Sequence, residues 1–95
     1  MVIQKFEDII AWQKAQDLAV DIFSEFGILQ HWGFRNQICN AVVSISNNIA
    51  EGFDRSSDAD FSRFLYIASG SASETKSMYI AEKLKFINNN KKYNS

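Results

Sequence analysis

No proline interrupts this chain of 95 residues, and its apolar residues recur at spacings of three and four along most of its length. Both features favour helix, since proline breaks helices and a three-four spacing keeps apolar side chains on one helical face. Three helices are predicted. In the first, from about Phe6 to Phe26, the residues Trp12, Ala15, Ala19, Ile22 and Phe26 make one apolar stripe, and Gly27 is a natural stop. The connection from Gly27 to Gly33 carries His31 and Trp32. It leads into a second helix on which Phe34, Ile38, Ala41, Val42, Ile45 and Ile49 share a face, ending near Arg55. Ser57 and Asp60 are spaced as a capping box, and the third helix then runs through Phe61, Leu65, Ala68, Ala72 and Met78 to about Ile87. The short connection makes the second and third helices antiparallel neighbours. Residues 88–95 have no apolar periodicity and are expected to fray, which gives one helical domain over 1–87 and a polar tail.

A domain this small buries modest apolar area, so association with other copies would help to stabilise it. An apolar share of 46%, with eight Phe and two Trp, suffices for a packed interior and separates the chain from disordered sequences. The net charge of −1 does not advertise nucleic acid. Its distribution is uneven: residues 1–62 hold four Lys/Arg and nine Asp/Glu, whereas 63–95 hold six and two. Such a split either steers one subunit's acidic first helix toward a neighbour's basic end, or lets the two halves of one monomer neutralise each other. One cysteine, Cys39, allows no internal disulfide, and the first residues lack the pattern of a signal peptide. No apolar run approaches the roughly 20 residues that span a bilayer. A cytoplasmic protein without membrane insertion is expected.

Catalytic constellations are hard to find. A helical bundle with Glu51, Glu74 and Glu82 suggests a carboxylate di-metal site, but such sites pair Glu with His three residues on, and the one histidine, His31, lies in a loop. Cys39 lacks companions for zinc and reads as a small core filler. No serine has a base and an orienting acid. Gly70, among Ala68, Ser69, Ser71, Ala72 and Ser73, lacks the strand-to-helix setting and the Lys-Ser/Thr pair of a phosphate-binding loop; close helix approach explains the cluster better. No enzyme, cofactor or metal is expected.

Asn48, Glu51 and Arg55 form a polar stripe beside the core positions Ile45 and Ile49. Glu51 precedes Arg55 by four residues, the favourable order for a helical ion pair. At the edge of a helix seam the same stripe can fix register or mate with another subunit, with Ser71 and Glu74 on the third helix as facing groups. In the last third, Arg63, Lys76, Lys83, Lys85, Lys91 and Lys92 collect with Tyr79, Phe86 and Tyr93 among them. They are candidate phosphate contacts for RNA or DNA, and otherwise a solvated face and a polar tail.

The run Ser-Ile-Ser-Asn-Asn-Ile-Ala-Glu-Gly-Phe-Asp-Arg at 44–55, with Phe-Ser-Arg-Phe-Leu-Tyr-Ile-Ala-Ser-Gly-Ser-Ala-Ser-Glu at 61–74, resembles the small four-helix-bundle proteins encoded by intervening sequences of 23S ribosomal RNA genes. Relatives of that family include the accessory variability protein of diversity-generating retroelements. The likeness extends from Phe6-Glu7-Asp8-Ile9-Ile10-Ala11-Trp12 through Gln37 to Gly70-Ser71 and Glu74. It implies an all-α, antiparallel up-and-down bundle that assembles as a homopentameric ring, without known catalytic chemistry, and relatives that bind a reverse transcriptase and RNA. Gln37, Asn48, Glu51, Arg55, Ser71 and Glu74 match the polar signature. The chain departs from the pattern in two ways. The family's last helix is missing or truncated after Ile87, which leaves a groove for a partner helix, a neighbouring subunit or a lost segment. Cys39 and Asn40 stand where basic residues often precede the Ala-x-x-Ser-Ile segment, which weakens the RNA-binding implication. The function expected from these readings is a noncatalytic assembly or adaptor protein, with nucleic-acid binding as the alternative.

Overall fold

The computed structural model describes residues 3–28 and 31–94, with side chains as far as Lys85. Among the described residues the chain is all-helical and contains no strand. A single 3-10 turn, Phe6–Asp8, precedes α1 (Ile10–Phe26), α2 (Trp32–Phe53) and α3 (Asp58–Asn94). The first helix therefore starts later than its sequence suggests. Ile9 adopts an extended conformation, and the break folds the Phe6 ring edge-on against Trp12, with centroids 5.4 Å apart. The side-chain amide of Gln13 closes the turn by donating to the Glu7 carbonyl at 2.9 Å.

The other helix ends follow from local chemistry. Gly27 caps α1 in a right-handed conformation, its N–H donating to the Phe23 carbonyl at 2.8 Å. Ser57 caps α3, its hydroxyl accepting the N–H of Asp60 at 3.1 Å, while Asp58 and Asp60 place negative charge at the positive end of the helix dipole. α3 continues to Asn94, seven residues past the boundary expected at Ile87. No glycine or proline interrupts that stretch, and Lys91 and Lys92 lie near the negative end of the dipole, where lysine is favourable.

α2 is the centre of the fold: it packs against both other helices, while the backbones of α1 and α3 do not touch. Ile38 and Val42 on α2 are wholly buried, and Ala15, Ile22 and Phe26 of α1 with Ala68 of α3 close around them. The predicted stripes of α1 and α2 thus form the core. On α3 Phe61, Ala68, Ala72 and Met78 take the expected inward places, and one position differs. Leu65, expected inside, is 40% exposed, and Phe64 is buried in its place. The cause is Gly52, where α2 has no side chain: a Cβ there would stand 2.6 Å from the Cβ of Phe64 and 3.0 Å from the Phe61 ring. Close helix approach therefore occurs at Gly52. Around Gly70 a Cβ would meet nothing within 4 Å, which corrects the expectation that Gly70 serves close packing within the bundle.

The helices differ in reach. At 1.5 Å per residue, the 17 residues of α1 and 22 of α2 extend about 26 and 33 Å, and the 37 of α3 about 56 Å. The molecule's 57 Å long dimension is the length of α3.

Candidate functional site

The polar positions singled out on α2 and α3 lie along the junction of these two helices. Gln37, Ser44, Asn48 and Glu51 follow one another at seven, four and three residues, which keeps them on one side of α2, and Arg55 stands in the bend just past its end. Ser44 is the hub. Its hydroxyl accepts from the Asn48 side chain at 2.9 Å and from the Ser71 hydroxyl of α3 at 2.9 Å, while Asn48 also donates to the Ser44 carbonyl at 2.7 Å. One turn further along α3, the buried Thr75 hydroxyl donates to the Ser71 carbonyl at 2.9 Å. Near the start of α2, Gln37 donates to Glu74 at 3.4 Å. At the opposite end Arg55 pairs with Glu51 at 2.7 Å. Both of those side chains are about half exposed, so the pair contributes only about 0.3–0.5 kcal/mol.

Sequence reasoning missed Ser44, which sits next to Ile45 in a pattern read for its apolar members. It also missed a second polar link, in which Gln16 of α1 donates to the buried Ser46 hydroxyl of α2 at 2.9 Å. The signal was present. Ser44 and Ser46 flank Ile45, so small hydroxyl residues stand on both shoulders of a core position, where α2 meets α3 on one side and α1 on the other.

The four candidate nucleic-acid contacts whose side chains are described do not share one surface. Lys76 and Lys83 are on the α1 side of α3, whereas Lys85 lies about half a turn from Lys76 at 100° per residue, and Arg63 shares its side about 33 Å away along the axis. Lys83 forms an ion pair with Glu25 of α1 and stands over the Tyr79 ring. The Glu25 carboxylate pushes the Lys83 ammonium pKa up, first through their hydrogen bond. Arg63 lies over the Phe64 ring at 4.6 Å, and Arg55 over the same ring at 4.9 Å. The side chains of Lys91, Lys92, Phe86 and Tyr93 lie outside the described residues.

Reactive groups are sparse. Cys39 is buried between α1 and α2, and burial pushes its thiol pKa up against the opposing pull of Arg35. A thiol so placed is a poor nucleophile at neutral pH. His31 is exposed at the start of α2. Among the described residues, no cluster of three His, Cys, Asp or Glu side chains is placed to hold a metal ion, and no helix is long and apolar enough to cross a membrane.

Two apolar depressions remain open. Leu18 and Ile22 of α1 face Ala72, Thr75 and Tyr79 of α3 across a groove of about 310 Å³, rimmed by Asp21 on one side and Lys76 on the other. A shallower one, about 490 Å³, lies over Ala19, Val20 and Phe23 of α1 and Val43 of α2. The described residues therefore present helical surfaces, a polar seam and unfilled apolar faces.

The model of the family 23S rRNA-intervening sequence protein matches residues 7–95. The chain belongs to this family. Comparison with curated proteins and with solved structures found no match. The match spans all three helices and the polar seam of the α2–α3 junction. The family has no known catalytic function, in keeping with a fold whose chemistry-bearing groups are engaged in holding helices together.

Proposed function

We propose that this intervening-sequence protein is a noncatalytic assembly or adaptor module, a homo-oligomeric and most simply pentameric ring that presents a surface to another macromolecule. The observation that carries this reading is the open side of the fold. The backbones of α1 and α3 stay apart, their side chains meeting only at points such as Phe26 with Tyr79 and Glu25 with Lys83, and apolar side chains on both remain exposed, among them Val20, Phe23, Tyr66, Ile80 and Leu84. A small domain that leaves such faces uncovered gains stability by covering them with another chain. On this reading the bundle is of the four-helix type, and a helix of another chain takes the fourth place along the groove between Leu18 and Tyr79. The lone buried Cys39 suits a reducing compartment, the cytoplasm.

Native mass spectrometry tests the assembly by counting chains. Five copies are expected, and a spectrum of single chains at micromolar concentration would contradict the ring. Nucleic-acid binding by Arg63, Lys76, Lys83 and Lys85 is the alternative, and a ring would multiply those cations. It draws less support because the cations occupy opposite sides of α3 and Lys83 already has a carboxylate partner. Phosphate contacts make affinity fall steeply with salt. RNA binding that weakens tenfold or more between low and moderate salt, and again in Lys76→Ala/Lys85→Ala, would favour the alternative.

A further inference from the structure

The longest run of the chain without an acidic or basic side chain, 36–50, belongs to α2. The core accounts for part of it, since Ile38, Val42, Ile45 and Ile49 are buried between the other helices. It does not account for the outer face. Asn36, Asn40, Val43 and Asn47 follow one another at four, three and four residues, the spacing of a helix-packing seam. At 100° per residue this seam lies opposite Ile38 and Ile45. The three asparagines are exposed and Val43 is half-buried. Exposed helix faces usually carry Lys, Arg, Asp or Glu, whereas depletion of charge marks the centre of protein interfaces. The charge-free surface continues onto α1, because Val43 borders the depression lined by Gln16, Ala19, Val20, Phe23 and Ser24.

We propose that this seam pairs antiparallel with the same seam of a second copy, about a two-fold axis at Val43. Charge selects the occupant and its direction. The charged groups of α2 stand at its ends, Arg35 at the start and Glu51, Asp54 and Arg55 at the finish. The Arg35 guanidinium is turned outward, over the exposed Trp32 ring at 5.9 Å, and its Nε donates to Asn36 Oδ1 at 3.3 Å. Arg55 is turned the other way, over the Phe64 ring of α3, and pairs with Glu51. Asp54 stays exposed at the end of the seam. Pairing about Val43 sets position 54 of one copy opposite position 33 of the other, which brings Asp54 to the guanidinium over Trp32 at both ends. A parallel pair would set Arg35 against Arg35 and Asp54 against Asp54, which repels. Neighbouring elements keep the same polarity. The 3-10 turn, which touches α2, brings Glu7 and Asp8 with Lys5 toward the Asp54 end. On α3, Asp60 pairs with Arg63 and Glu74 accepts from Gln37, while Lys85 stands toward the Arg35 end. The register also matches like with like: Val43 meets Val43, and Asn40 meets Asn47, whose amides each donate and accept and so bond reciprocally.

The contact goes beyond the assembly reading. It lies on the far side of α2 from the groove between α1 and α3, and a two-fold contact joins two assemblies face to face instead of closing an odd-numbered ring. One seam is small beside the roughly 1,200–2,000 Å² of a stable interface, so the contact forms at high protein concentration and leaves the ring unit intact.

Disulfide trapping at high protein concentration tests the pairing, with Cys39→Ala as the background and circular dichroism as the check that helix is retained. A disulfide needs Cα atoms within about 7 Å, so Val43→Cys, on the axis, is expected to link about tenfold faster than Asn36→Cys, which would face position 51. Asp54→Lys added to Val43→Cys sets like charges at both ends and is expected to slow linkage about fivefold. Arg35→Asp added in turn is expected to restore it. Linkage at Asn36 as fast as at Val43, or linkage that Asp54→Lys leaves unchanged, would overturn the two-fold contact. The mass of the reduced protein reports the ring separately. Linked pairs from a chain that is monomeric when reduced would keep this contact and remove the ring. A five-copy species in which Val43→Cys does not link would keep the ring and remove this contact.

Discussion

A methyl group on Gly52 would collide with Phe64, whereas one on Gly70 would meet open space. The same substitution therefore has opposite signs at two helical glycines. Gly52→Ala gains helix propensity but overpacks the α2–α3 contact, and a net loss of about 1–3 kcal/mol is expected. Gly70→Ala is expected to stabilise the isolated subunit by about 0.5–1 kcal/mol. Urea unfolding at concentrations low enough to keep the chain monomeric measures both, and equal effects would contradict the packing described. Cys39 gives a second test at this scale. Burial raises its thiol pKa, so the unfolded chain releases the proton at lower pH than the folded one does. Stability contributed by the protonated thiol is thus fully present below the ordinary thiol pKa and is lost as pH rises beyond it. The alkaline decline in unfolding free energy should be shallower in Cys39→Ala, and the native thiol should react slowly with a disulfide reagent until the chain unfolds.

Between helices, the Ser44 hydroxyl serves both Asn48 and Ser71. Removing it in Ser44→Ala leaves two half-buried polar groups each short of one hydrogen bond, and a loss of about 1–2 kcal/mol is expected by urea unfolding. A change within 0.3 kcal/mol would mean that water replaces the hydroxyl. Much of the element-scale organisation is legible in the sequence. The apolar stripes from Trp12 to Phe26 and from Phe34 to Ile49 are regular enough to mark two helices and their inward faces, and Ser57 announces the start of α3. The shift from Leu65 to Phe64 was not legible, because it depends on where Gly52 meets α3 across the interface and not on spacing within either helix. For the same reason the sequence associates Gly70 with close packing that Gly52 performs. The polar signature was visible as a stripe, but Ser44 was not, since only the meeting of α2 with Ser71 gives it a partner. Past Ile87, α3 continues as helix to Asn94, although the sequence there lacks an apolar face. Amide exchange is expected to be fast over 88–94 and slow over 64–75, and equal protection would show that the last two turns are held by something other than their own hydrogen bonds.

For the whole molecule, the division of charge finds two partners among the described residues, the pair between Glu25 and Lys83 across helices and that between Asp60 and Arg63 within α3, while Asp21 and Lys76 stand on opposite rims of an unfilled groove. The two halves thus neutralise each other in part. The exposed apolar faces of α1 and α3 remain the features that a lone subunit does not account for, and their covering by other copies is the central claim. Sedimentation velocity over a hundredfold range of concentration tests it most directly. The account predicts a single major species of about five times the monomer mass, dissociating at the lowest concentrations. A species of monomer mass throughout the range would contradict it.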